Sequence, residues 1–253
     1  MDISHLPISF LALGGAAFFA GAMNALAGGG SFITFPALLL TGLDPRAANI
    51  TNTVALFPGQ IASGWAGRHL AQGVGDISFT KLVLISLAGG AVGALLLLAT
   101  PPSFFAAMVP YLVLFATLVF AWGSFGRKPG QAEAAKLPPR PTALIQFAVG
   151  IYGGYFGGGM GFVMLALLSL AGVSVRNASA MKNVFASVIN LAAALVFFTA
   201  PDIAWPQAVI AAVASSLGGL SGVWLLRRIP DRLLRAGVVM VGLAVTVAMF
   251  VRG

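Results

Sequence analysis

Two glycine runs and one lysine carry the chemistry this sequence can do. Gly28-Gly29-Gly30 and Gly157-Gly158-Gly159 each end an apolar run and precede a shorter one, 31–43 and 160–171. At about 1.5 Å per residue the first short run reaches some 18 Å, roughly half a bilayer. A helix that begins at such a break exposes unpaired N–H groups and roughly half a positive charge at its first turn. Glycine lets an anion approach that backbone closely, and Ser31 is placed to act as an N-cap or a hydroxyl ligand beside it. The chemistry this predicts is non-covalent binding of a small anion between two helix ends. The same glycines would also serve close helix packing. Their recurrence before a half-length run is what favours the anion site.

Lys182 is the sharper signal. It lies about seven residues, or ~10 Å, into the run 175–198, where a lysine costs roughly 2.5–3.5 kcal/mol on insertion scales. Its ammonium either snorkels to the interface or serves as a fixed charge for an anionic substrate. Around it runs a polar stripe: Asn183, Ser187 and Asn190 fall on one helical face, and Asn49, Thr53, Gln60 and Ser63 do so on the run 46–65. Such a stripe lines a cavity or bonds a neighbouring helix. Asn52 holds the place of Lys182 in the other half, and Asn24 and Met160 flank the breaks. The candidate substrate-binding residues are therefore Asn24, Gly28, Gly29, Gly30, Ser31, Asn52, Thr53, Gln60, Gly158, Gly159, Met160, Lys182, Asn183 and Asn190.

What is missing narrows the chemistry further. Asp2, Asp44, Asp76, Glu133, Asp202 and Asp231 all fall in loops or at span ends, so no predicted span carries the carboxylate often used for proton or sodium coupling. There is no cysteine, and His5 and His69 are far apart. No metal site, cofactor site or nucleophile–base pair is predicted, and no enzyme activity follows.

The elements that must position these residues are membrane spans. Of 253 residues 59% are hydrophobic and 8% charged, with a mean hydropathy of +0.98; soluble domains carry roughly 25% charged residues. The formal net charge of +8 does not indicate nucleic acid, because the positive residues sit in short loops between apolar runs. The N-terminus lacks the positive region of a cleaved signal, so the first run is expected to be a retained span. The predicted runs are 8–27, 31–43, 46–65, 79–99 and 104–122, then 143–156, 160–171, 175–198, 208–226 and 233–251.

The second set repeats the first at an offset of 130, as in Gly29/Gly159, Phe32/Phe162, Arg46/Arg176, Gln60/Asn190 and Ser86/Ser216. Domains are expected at 1–123 and 142–253, joined by a cytoplasmic linker at 124–141. The loops near Arg68 and Lys81, the linker, and the loop with Arg227 and Arg228 are positive; 100–103 and 200–206 hold no Lys or Arg. Positive loops belong inside. The expected fold is an all-α polytopic membrane protein of two inverted repeats. Each repeat is a glycine-broken helical hairpin plus three transmembrane helices. Both termini are expected outside the cytoplasm, and Arg46 falls on the outer side, against the charge rule.

The motifs Ala27-Gly28-Gly29-Gly30-Ser31-Phe32, Pro36-Ala37-Leu38-Leu39 and Gly42-Leu43-Asp44-Pro45-Arg46 resemble the first half of the TauE/SafE sulfite exporter family. Gly157-Gly158-Gly159-Met160-Gly161-Phe162, Ala180-Met181-Lys182-Asn183 and Asn190-Leu191 resemble its second half. Many relatives place small hydroxyl residues near Asn52 and Lys182, which is a departure here. The resemblance implies export of sulfite, a sulfonate or a related organosulfur anion across the bacterial inner membrane. The expected partners are that anion and the lipid bilayer, with a homodimer open to it. A channel-like anion conductor is the alternative, followed by a membrane-embedded enzyme or assembly factor.

Overall fold

A computed structural model describes residues 6–26, 29–125, 138–171, 173–222 and 230–252. Gly28, most of the linker and the loop with Arg227 and Arg228 lie outside these residues. The described chain is helical. The first half holds α1 (Leu6–Leu26), α2 (Ser31–Leu40), α3 (Pro45–Gly67), α4 (Phe79–Ala99) and α5 (Pro102–Phe125). The second holds α6 (Pro139–Tyr155), α7 (Met160–Leu170), α8 (Val175–Phe197), α9 (Trp205–Leu217) and α10 (Asp231–Arg252).

Local sequence sets the helix starts. Asp44 caps α3 by accepting from the N–H groups of Arg46 and Ala47, with Pro45 at the first helical position. Ser174, 130 residues later, caps α8 by accepting from the Asn177 N–H. Helices α4, α5 and α8 contain segments long and apolar enough to cross a membrane; α1, α2, α9 and α10 contain shorter apolar segments.

Polarity is inverted relative to a water-soluble domain. Leu84, Leu95, Phe104, Tyr111, Leu118 and Val209 face outward, while Asn49, Asn52, Thr53, Gln146, Lys182 and Asn190 are buried. In lipid this arrangement satisfies both faces, because apolar side chains meet hydrocarbon and polar ones meet each other.

Glycines set the closest crossings. On α4, a Cβ at Gly89 would meet the Phe147 carbonyl of α6; on α9's extension, one at Gly218 would meet the Phe18 carbonyl of α1. Gly150 faces the Ser86 carbonyl just as Gly21 faces that of Ser215. These matching contacts are 129 residues apart, not 130, so the Ser86/Ser216 pairing expected from sequence is one residue out. Gly29 and Gly159, and the bounds of α3 and α8, are 130 residues apart.

Helices α3 and α8 cross at the centre and run antiparallel. Gly67 lies against Ala180, Gly64 against Ser187, and Gln60 against both Ser187 and Asn190. At the start of α3, Arg46 donates to the carbonyls of Thr100 (3.1 Å) and Leu98 (3.2 Å) and pairs with Asp202 at 3.5 Å. Its charge therefore has local partners.

Candidate functional site

Both glycine runs turn the chain sharply. Gly29 and Gly159 have φ of +86° and +73°, and Gly157 has +75°, in the left-handed region that side chains resist. The half-length helices start at once: the Phe32 N–H donates to the Gly29 carbonyl at 3.0 Å, and the Phe162 N–H to that of Gly159 at 2.9 Å. Phe32 and Phe162 then both pack on Phe120 from α5.

Ser31 is not the cap of α2. Gly30 holds the cap position without a side-chain bond, and its N–H donates to Asn24 Oδ1 at 2.7 Å. That bond ties the start of α2 to α1. The Ser31 hydroxyl lines the space beside the break.

That space is a recess of about 480 Å³, counting its open mouth. Asn24, Gly29 and Ser31 line it from one side and Gly159, Met160 and Gly161 from the other, with Gln60 and Ser63 of α3 and Lys182 and Asn183 of α8. Lys182 is only 2% exposed. Its stem crosses Gly161, where a Cβ would stand 3.2 Å from Cδ. Among the described residues no hydrogen bond or carboxylate holds it.

Two of the amides around Lys182, those of Asn24 and Gln60, have fixed orientations. An N–H must meet an oxygen, so the bond from Gly30 N–H settles Asn24 with Oδ1 committed and Nδ2 free. Asn190 Nδ2 donates to the Ala186 carbonyl at 3.0 Å and also to Gln60 Oε1, which leaves the Gln60 NH₂ free. The N–H groups of Gly159 and Gly161 find no acceptor among the described residues. The recess therefore offers a buried cation and several N–H donors, and the amide oxygens of Asn24 and Gln60 are engaged elsewhere. This is the arrangement that binds an anion.

A second, tighter recess of about 330 Å³, counting its open mouth, lies on the other side of the break. Ser31 belongs to both, but Gly158 faces this one while Gly157 and Gly159 face the first. Phe32, Phe35, Phe156 and Val113 make it largely apolar, with Asn49 and Asn52 as its buried amides. Asn52 bonds to the Thr34 hydroxyl.

A family model described as Sulfite exporter TauE/SafE matches residues 13–249. The chain belongs to the TauE/SafE family. It is 32% identical over 236 residues to a "Probable membrane transporter protein" of Haemophilus influenzae, covering 92% of this chain and 91% of that one. It is 31% identical over 229 residues to "Probable membrane transporter protein ORF9" of Sinorhizobium sp (87% and 84% covered). It is 29% identical over 229 residues to "Probable membrane transporter protein YfcA" of Escherichia coli K12 (89% and 83% covered). No solved structure matches it. The chain is a membrane transporter.

In this TauE/SafE chain the predicted residues divide. Asn24, Gly29, Ser31, Gln60, Gly159, Met160, Lys182 and Asn183 meet in the first recess. Asn52 and Gly158 belong to the second. Gly30 is buried at the helix start, Thr53 turns its hydroxyl to the Asn49 carbonyl, and Asn190 holds Gln60 from behind. Asn52 and Lys182, 130 residues apart, hold matching places in the two halves of the sequence and were expected to serve one site. Antiparallel helices send such a pair to opposite sides of their crossing, here roughly 20 Å apart along α3. Ser63 and Asn49 were legible as part of the polar stripe and belong to the recesses. Gly161 was legible as the counterpart of Ser31. The support of the break by Tyr152, whose hydroxyl donates to the Gly158 carbonyl at 2.5 Å, had no signal in the sequence.

Proposed function

We propose that this transporter exports sulfite, a sulfonate or a related organosulfur anion across the bacterial inner membrane, binding it at the Lys182 recess. The observation that carries the reading is Lys182 itself, a buried ammonium with no carboxylate partner, set among free N–H donors. An anion there would supply the missing countercharge, which a buried ion pair requires. Both half-length helices begin at this recess, so their dipoles add to the attraction.

The same reading includes two inverted repeats with the site at their interface. Four contacts support it. Helices α3 and α8 run antiparallel, α1 packs on α9 as α6 packs on α4, and α5 packs on α10. A two-fold relation that reverses the helix direction produces this set. Placing Lys81 inside puts the loops at 100–103 and 200–206, and both termini, outside.

The test is anion-dependent thermal stabilisation of the purified protein across sulfite, sulfate, sulfoacetate, taurine and thiosulfate, with Lys182→Met beside the wild type. At least one sulfur anion should stabilise the wild type, and Lys182→Met should fold and lose most of that effect. Undiminished stabilisation in the variant would remove Lys182 from the site.

A further inference from the structure

Lys182 is the one charged group that lines its recess among the described residues. Its unpartnered Nζ keeps surface open to that space. Asn24 of α1, Gln60 and Ser63 of α3 and Asn183 of α8 surround it, and all are neutral. Helices α1, α2 and α7 contain no charged residue at all. On α3 and α8 the only other charges are Arg46 and Arg176, each in a first turn. Lys81 and Arg140, in the first turns of α4 and α6, are exposed, as are Arg68 and His69 just past α3.

The recess therefore holds one full positive charge and a set of neutral dipoles. A singly charged anion cancels that charge and leaves the filled recess neutral. A doubly charged anion leaves one negative charge uncompensated among buried groups, a cost that neutral donors reduce but do not cancel. The starts of α2 and α7 attract either anion. They supply no second charge, because helices of 10 and 11 residues carry their opposite ends only about 15 Å away.

Sulfur anions divide along this line. Simple sulfonates carry a single charge at neutral pH, sulfate and thiosulfate carry a double one, and sulfite exchanges with hydrogen sulfite as pH crosses neutrality. We propose that the Lys182 recess selects singly charged anions, taking simple sulfonates and hydrogen sulfite in preference to sulfite, sulfate or thiosulfate. This rests on the anion reading above and narrows its substrate class.

The test is a titration of thermal stability at constant ionic strength with methanesulfonate and sulfate, which are both tetrahedral, have equal heavy-atom counts and differ by one charge. Methanesulfonate should half-saturate the wild type at a concentration lower by about tenfold or more. Asn183→Lys adds a second ammonium to the recess and should bring sulfate level with methanesulfonate or past it. Sulfite supplies a readout that needs no variant. Its apparent affinity relative to methanesulfonate should rise as pH falls through neutrality, in step with the fraction present as hydrogen sulfite; taking the ratio removes any effect of pH on the protein itself. Sulfate that binds the wild type as tightly as methanesulfonate would keep the anion site and overturn the charge selection. So would a sulfite ratio that does not change with pH, or an unchanged preference in folded Asn183→Lys. If no sulfur anion stabilises the protein, the anion reading itself fails and this inference falls with it.

Discussion

Gln60 and Asn190 are hydrogen-bonded side chain to side chain, and they stand 130 residues apart, the interval that also separates Gly29 from Gly159. The bond sits where α3 and α8 cross. Asn190 is also tied to the Ala186 carbonyl, so the pair joins α3 to α8 with defined geometry. Removing one partner leaves a polar group facing an apolar replacement, at a cost of about 1–3 kcal/mol; removing both leaves none stranded. Gln60→Leu and Asn190→Leu should each destabilise, and the double variant should be no worse than the poorer single. Thermal unfolding of all four proteins in detergent measures this coupling. Additive losses would show that the bond does no joining.

The sequence made much of this site legible, and for a physical reason. Triple glycines and an intramembrane lysine are costly in a span, so each marks a place where local stability has been given up. Gly29, Gly159 and Lys182 were found that way and do converge. The division into two recesses was not legible, because it depends on the antiparallel crossing of α3 and α8, which is tertiary. Nor was the shift from 130 to 129. The spacing between Phe18 and Gly21 matches that between Phe147 and Gly150, but one glycine aligned with another one residue away looks equally good in a chain with 32 of them.

Sidedness can be read directly, since the chain has no cysteine of its own. Ser103 lies in the first turn of α5, just past the end of α4, and Lys81 lies at the opposite end of α4; both are exposed. In intact cells, Ser103→Cys should react with a membrane-impermeant maleimide, and Lys81→Cys should react only after permeabilisation. The reverse pattern would invert the proposed topology.

Arg46 and Asp202 offer a test of what holds the start of α3 to the end of α4. Asp202 keeps 30% side-chain exposure, and a pair that exposed is worth about 0–1 kcal/mol. Arg46 also serves the carbonyls of Leu98 and Thr100 at the end of α4, where the helix has no internal donors left. Asp202→Asn should therefore change thermal stability by less than about 1 kcal/mol. Arg46→Ala should cost roughly 1–3 kcal/mol by stranding those carbonyls. Equal losses would mean that the ion pair, not the helix end, is what matters.

The two glycine breaks should differ when substituted, although both need φ above zero. For any residue but glycine the left-handed backbone costs about 1–2 kcal/mol. At Gly29 a Cβ would otherwise meet the edge of the Phe120 ring at 3.2 Å, and a ring edge can shift a few tenths of an ångström. At Gly159 it would meet the Cα and carbonyl oxygen of Ala116, both at 3.2 Å, and the backbone of α5 cannot move without carrying the helix. Gly29→Ala should thus remain folded with a modest loss of stability, and Gly159→Ala should lose more. Replacement by leucine at either position would fill the Lys182 recess, which both glycines line. Each leucine variant should abolish anion flux, and because the recess is shared the double variant should be no more impaired in flux than either single. Flux into proteoliposomes, with monodispersity in detergent as the folding control, separates these effects. Normal flux in a folded Gly29→Leu or Gly159→Leu protein would place the anion's route elsewhere.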